Sequence, residues 1–141
     1  MMHDEVITYT DGGARGNPGK AAIGVVIIDK MGKPLLEHGE CIGVTTNNVA
    51  EYTALITALI LARKFTTKRV TCYADSELLV RQLTGVYAVK AAHLKELFAK
   101  VREYEKNFSF VKYVHVPREH AGITRADVLV NDTLDMSIRK H

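Results

Sequence analysis

Four acidic residues carry the chemistry open to this sequence: Asp11 in Thr10-Asp11-Gly12-Gly13, Glu51 in Asn48-Val49-Ala50-Glu51-Tyr52, Asp75 in Ala74-Asp75-Ser76, and Asp127 in Ala126-Asp127. Each falls where an apolar or periodic run starts or stops, so each is expected at the end of a strand or the start of a helix. Carboxylates gathered within a few ångströms repel one another and raise each other's pKa, a cost that a bound cation removes. Hard oxygen ligands suit Mg²⁺ or Mn²⁺, with waters and a substrate phosphate completing the shell.

Each acid also has a purely structural reading. Asp11 before two glycines shapes a turn, Asp75-Ser76 makes a cap, and Asp127 complements a helix dipole. Glu51 has the strongest one, because Asn48-Val49-Ala50-Glu51 has the spacing of a capping box. Their shared placement at element ends favours the metal reading over four separate structural ones.

That placement depends on the elements. Residues 5 to 10 are β-branched and aromatic and stop at the turn signal Asp11-Gly12-Gly13, giving a first strand. Ala21 to Ile28 is a nearly unbroken apolar run, a central strand, and Leu35 to Gly43 completes a meander. The period then changes: Ala50, Ala54, Ala58 and Ala62 recur every four residues beside Leu55, Leu59, Ile56 and Ile60. This predicts a helix whose small-residue stripe lies close under a sheet.

A strand from Val70 to Ala74 ends at Asp75, and Ser76 caps a short helix that stops at Thr84-Gly85. Leu94, Leu97, Phe98 and Val101 give a third helix, Phe108 to Val116 a last strand, and Ala126 to Ile138 a last helix. The order βββαβααβα implies a mixed five-stranded sheet with helices on both faces, and a crossover helix makes strands one and four parallel neighbours. Asp11 and Asp75 then emerge side by side.

The bulk properties narrow the alternatives. The 141 residues, 47% apolar, make one core and one domain spanning 1–141. Nineteen Lys and Arg against sixteen Asp and Glu leave +3, which permits a polyanionic partner without demanding one. The start of the chain has no signal-peptide layout, no run approaches a membrane span, and Cys41 and Cys72 stand apart in apolar runs. A cytoplasmic protein with neither disulfide nor zinc site is expected. Gly19-Lys20 lacks the other residues of a phosphate-binding P-loop, and no Gly-x-Ser-x-Gly elbow exists.

Thr10-Asp11-Gly12-Gly13, Arg15-Gly16-Asn17-Pro18-Gly19, Thr46-Asn47-Asn48-Val49-Ala50-Glu51-Tyr52, Asp75-Ser76 and Ala126-Asp127, in this order, closely resemble type 1 ribonuclease H over about Val6 to Asp135. The resemblance implies the ribonuclease H-like sheet order 3-2-1-4-5. It implies that Asp11, Glu51, Asp75 and Asp127 hold two Mg²⁺, with Mn²⁺ as a substitute, and that a monomer cuts the RNA strand of RNA/DNA hybrids to leave 3′-hydroxyl and 5′-phosphate ends. Gly12, Gly13, Asn17, Thr46, Asn47, Asn48 and Gln82 are the implied substrate-binding residues, with helix capping a rival role for Asn47 and Asn48.

His120-Ala121-Gly122 resembles the mobile catalytic histidine of bacterial relatives, assisting proton transfer or product release. Here the gap to the aspartate is about three residues shorter, and Ile123 stands where an Asn is usual. The family's Lys- and Trp-rich handle has no counterpart, since only Lys90 and Lys95 fall between Val86 and Leu97 and there is no Trp. This resembles the handle-less, archaeal-like branch and implies salt-sensitive binding. Same-fold alternatives are a nuclease acting also on double-stranded RNA or RNA-DNA junctions, and a non-catalytic hybrid-binding module.

Overall fold

The structure, a computed structural model, describes residues 2–139, without the side chain of Arg139. Three antiparallel strands, β1 (Glu5–Gly16), β2 (Gly19–Asp29) and β3 (Pro34–Thr45), lead into helix α1 (Asn47–Ala62). Then follow β4 (Arg69–Ala74), α2 (Glu77–Leu83), α3 (Ala92–Glu105), β5 (Phe110–His115) and α4 (Ala121–Arg139). The sheet order is β3-β2-β1-β4-β5, with β4 parallel to both β1 and β5. The element order and the mixed sheet expected from the sequence are both found.

Alternation along β1 divides the molecule into two layers around the sheet. Val6, Thr8 and Thr10 are buried on the face that α1 covers, while Tyr9 points to the opposite face, under α4. β2 is buried on both sides, which explains its unbroken apolar run: Val25 and Ile27 join the α1 core, and Ala22 packs with Val130 and Leu134 of α4.

The alanine stripe of α1 does what its spacing predicts. Ala50, Ala54, Ala58 and Ala62 have no exposed surface, and the helix backbone comes so near β1 that a Cβ on Gly12 would lie 2.3 Å from the carbonyl carbon of Ala50. Leu55 and Leu59 fill the space beside the stripe, and truncating either to Ala would cost about 2–5 kcal/mol. α4 is seated as closely on the other face, where a Cβ on Gly24 would lie 2.2 Å from the carbonyl oxygen of Ala126.

Two boundaries differ from the sequence reading, and both bear on the acids. β1 does not stop at Asp11: it continues to Gly16, paired with β2 throughout, because Gly12 serves the close approach of α1 rather than a turn. What ends at Thr10 is the pairing with β4. α4 begins at Ala121 rather than Ala126, so Asp127 sits in the second turn and does not open the helix. The early start is stabilised by tertiary packing, with Ile123 and Ala126 fully buried, against a local sequence of weak helix formers.

Candidate active site

Asp11 and Asp75 are brought together by strand register. β1 and β4 run parallel with Thr10 opposite Ala74, so the next residue on each is an acid, at the edge where β4 ends. Ser76 caps α2 by accepting the Leu79 N–H at 3.1 Å and turns the chain away, leaving the Asp75 carboxylate at the edge.

Glu51 reaches the same place from α1. The capping-box reading is overturned: the cap is Thr46, whose Oγ1 accepts the Val49 N–H at 3.3 Å, and Glu51 is the fifth helical residue. Its Oε1 instead accepts the backbone N–H of Gly12 at 2.5 Å. One oxygen from each of Asp11, Glu51 and Asp75 lies within 4.8 Å of the others, a spacing suited to a shared divalent ion. Asp127, from α4, lines the same cleft as Asp11 and stands 3.9 Å from the Arg118 guanidinium.

The electrostatics show what this clustering costs the metal-free protein. Burial first, then hydrogen bonding to Asp127 and repulsion by Asp75 and Asp127, push the Asp11 pKa up to about 8, with Arg118 opposing. Burial and repulsion by Asp11 and Asp75 likewise raise Glu51, against the Gly12 N–H, and burial raises Asp75. Asp11, Glu51 and Asp75, three carboxylates that resist ionisation together, make a cluster that a cation would relieve, and their all-oxygen donors fit hard divalent ions.

The acids line a cleft of about 440 Å³ together with Gly12, Gly13, Asn47, Asn48, Arg15 and Arg118. The remaining sequence-derived residues lie elsewhere. Asn17 and Thr46 stand behind the wall: Asn17 Oδ1 accepts the Asn47 N–H at 3.0 Å, and Asn47 Oδ1 accepts the Ala14 N–H at 2.9 Å, tying α1 to β1. Gln82 is buried in the core, bonded to the Tyr52 hydroxyl. His120 does not line the cleft; its ring packs on Tyr9 and Tyr73.

Arg15 and Arg118 are the cationic cleft residues to which the sequence reading gave no role. Arg118 follows Pro117 in the turn between β5 and α4, and a cation two residues before the histidine motif is the signal that would have found it.

Comparison with known proteins gives this geometry a family. Residues 9–133 match the family model described as reverse transcriptase-like. The chain is 42% identical over 130 residues to a ribonuclease HI of Halobacterium salinarum and 38% identical over 142 residues to a ribonuclease H of Cupriavidus pinatubonensis, covering 93% of the latter. LC11-RNase H1, solved in complex with an RNA/DNA hybrid, superposes with a TM-score of 0.86 at 49% identity over 94% of this chain and 99% of that one. The chain belongs to the type 1 ribonuclease H family.

Within that family it matches part of several longer proteins. It spans 64% of the Halobacterium relative and 36% of a bifunctional Mycobacterium tuberculosis protein that it matches at 39% identity. The H. salinarum RNase H1 crystal structure superposes with a TM-score of 0.88 at 40% identity. Ribonuclease H membership and the acidic cluster together indicate divalent-metal use. Among the described residues, no helix is long and apolar enough to cross a membrane.

Proposed function

We propose that this chain is an endoribonuclease that hydrolyses the RNA strand of RNA/DNA hybrids, with Asp11, Glu51, Asp75 and Asp127 holding two Mg²⁺, or Mn²⁺ in their place. The convergence of four carboxylates from β1, α1, the end of β4 and α4 on one open cleft is the observation that carries this reading. The hybrid complex of LC11-RNase H1, a relative at 49% identity, supports the substrate class.

Asp11, Glu51, Asp75 and Asp127 would hold a pair of divalent ions there, whose chemistry when bound would be to acidify an attacking water and offset charge on the departing 3′ oxygen, giving 3′-hydroxyl and 5′-phosphate ends. The protein's task is geometry. Asp11 is fixed by the pairing of β1 with β2, Asp75 directly follows the last paired residue of β4, Glu51 is held by the Gly12 N–H, and Asp127 is carried by a helix packed on the sheet. Arg118, exposed at the cleft wall, offers a guanidinium to a phosphate of the substrate backbone.

RNA is distinguished from DNA by its 2′-hydroxyl, which both donates and accepts in the shallow minor groove. Gly13, Asn47 and Asn48, which line the cleft, are the residues we assign to this contact, whereas the Gly12 N–H is already given to Glu51. Asn17 and Thr46 act through the α1 start that they hold. We take the chain as one catalytic domain acting as a monomer in the cytoplasm, consistent with its two free cysteines.

The test is incubation of one labelled strand in RNA/DNA, RNA/RNA and DNA/DNA duplexes with Mg²⁺ or Mn²⁺. Cutting of the RNA strand of the hybrid, stopped by a chelator, is expected. Cleavage of none of the three would favour a binding module, and equal cutting of RNA/RNA would widen the substrate to double-stranded RNA.

A further inference from the structure

His120 occupies the cap position of α4. Its Nδ1 accepts the Gly122 N–H at 3.1 Å, and its carbonyl accepts the Thr124 N–H at 2.9 Å, opening the helical ladder. Its own N–H donates to the Pro117 carbonyl at 3.0 Å, closing the turn that leads in. An imidazole nitrogen thus does what a Ser or Asn oxygen does at most helix starts.

The ring is also seated. It lies 5.8 Å from the Tyr73 ring at an interplanar angle of 17°, and 5.3 Å from the Tyr9 ring, while the two tyrosines stack 5.3 Å apart. Gly122 rests on the same surface, where a Cβ would come within 2.3 Å of Tyr9 Cδ1.

This seat is continuous with the acids. Tyr9 and Tyr73 are paired in register, Asp11 follows Tyr9 by two residues on the same face of β1, and Asp75 follows Tyr73 by two residues, one past the end of β4. Asp127 follows His120 by seven residues, all helical, which is two turns and returns to the same side of α4. A helix pinned at His120 over Tyr9 and Tyr73 therefore carries Asp127 over Asp11 and Asp75. No loop lies between His120 and Asp127 on which the ring could swing.

We propose that His120 is a positioning residue, which fixes the depth and rotation of α4 so that Asp127 completes the metal site, and that its ring is not the proton carrier of the reaction. This rests on the metal-dependent reading of the cleft. His120→Ala removes cap and stacking together, whereas His120→Asn restores the cap acceptor without an imidazole.

Both variants and the parent are measured for metal-free melting temperature, for the Mg²⁺ concentration giving half the maximal thermal shift, and for kcat on a labelled hybrid at saturating Mg²⁺. In His120→Ala the metal-free protein should melt several degrees lower and need about tenfold more Mg²⁺, the equivalent of one lost cap. Its kcat at saturating Mg²⁺ should stay near the parent's. His120→Asn should recover both the melting temperature and the Mg²⁺ requirement.

A kcat about 10²-fold lower in both variants at saturating Mg²⁺ would overturn the proposal and make the ring a proton carrier. An unchanged Mg²⁺ requirement in His120→Ala would overturn it as well. A parent that binds Mg²⁺ but cuts no hybrid would sink the nuclease reading, while the two metal-binding readouts would still decide the role of His120.

Discussion

Gly12 donates its backbone N–H to the Glu51 carboxylate, so the residue that follows one acid of the site holds another. Strand and helix are thereby locked at the point where a side chain on residue 12 would collide with the Ala50 carbonyl. Glu51 is positioned by a backbone contact made without any cation, a form of the preorganisation that charge stabilisation needs.

Asp11→Asn keeps the volume and removes the charge. Cleavage of a hybrid in Mg²⁺ is expected to fall by at least about a thousandfold. Far-ultraviolet circular dichroism should be unchanged, and the metal-free variant should melt higher than the parent because a repelling group is gone. Parental cleavage rates would remove Asp11 from the metal site.

The raised Asp11 pKa fixes the sign of a pH effect. Between its ordinary value of 3.8 and about 8 Asp11 holds its proton more tightly in the folded protein than in the unfolded chain, so its contribution to metal-free stability is greatest at low pH and declines as pH rises toward 8. Melting curves across that window should show the decline, saturating Mg²⁺ should oppose it, and Asp11→Asn should flatten it. Metal binding should release protons, detected as a buffer-dependent heat in calorimetry.

Gly24 is paired with Asp11 in β2 and lies directly under Ala126, the residue before Asp127. Gly24→Ala therefore pushes α4 off the sheet at the acid it carries. A stability loss of about 1–3 kcal/mol is expected from overpacking, with a larger Mg²⁺ requirement than that loss alone would give. Denaturant melts and metal titrations on the same sample separate the two effects.

Gln82 tests the substrate-binding assignment carried by the resemblance. Its Oε1 accepts the Tyr52 hydroxyl in the core, so Gln82→Ala leaves that hydroxyl buried without a partner and should cost about 1–3 kcal/mol. The KM for hybrid should not move. A raised KM at unchanged stability would return Gln82 to the substrate.

The fold was legible because its signals were long and periodic: the alanine stripe of α1, the apolar run of β2, and the strand that stops at Asp75. That the four acids share one cleft was legible from the elements that carry them, although β1 runs on past Asp11 and Asp127 lies in the second turn of α4 rather than at its start. Illegible were features set by contacts between distant segments. Gly12-Gly13 reads locally as a turn, yet β1 passes straight through because α1 needs the room. Asn48 has capping-box spacing, yet Thr46 is the cap and Glu51 is drawn to β1. The start of α4, with Gly122 and β-branched Ile123 and Thr124, resembles a loop until Tyr9 and Tyr73 are seen beneath it.

The last acid of the site arrives with the last helix. Asp11, Glu51 and Asp75 lie within the first 75 residues, but α4 spans Ala121–Arg139 and can dock only after most of the chain has been made. A chain still emerging from the ribosome holds three carboxylates and no fourth. On the proposed activity, such a chain is an unarmed nuclease among RNA, and the docking of α4 is the step that arms it.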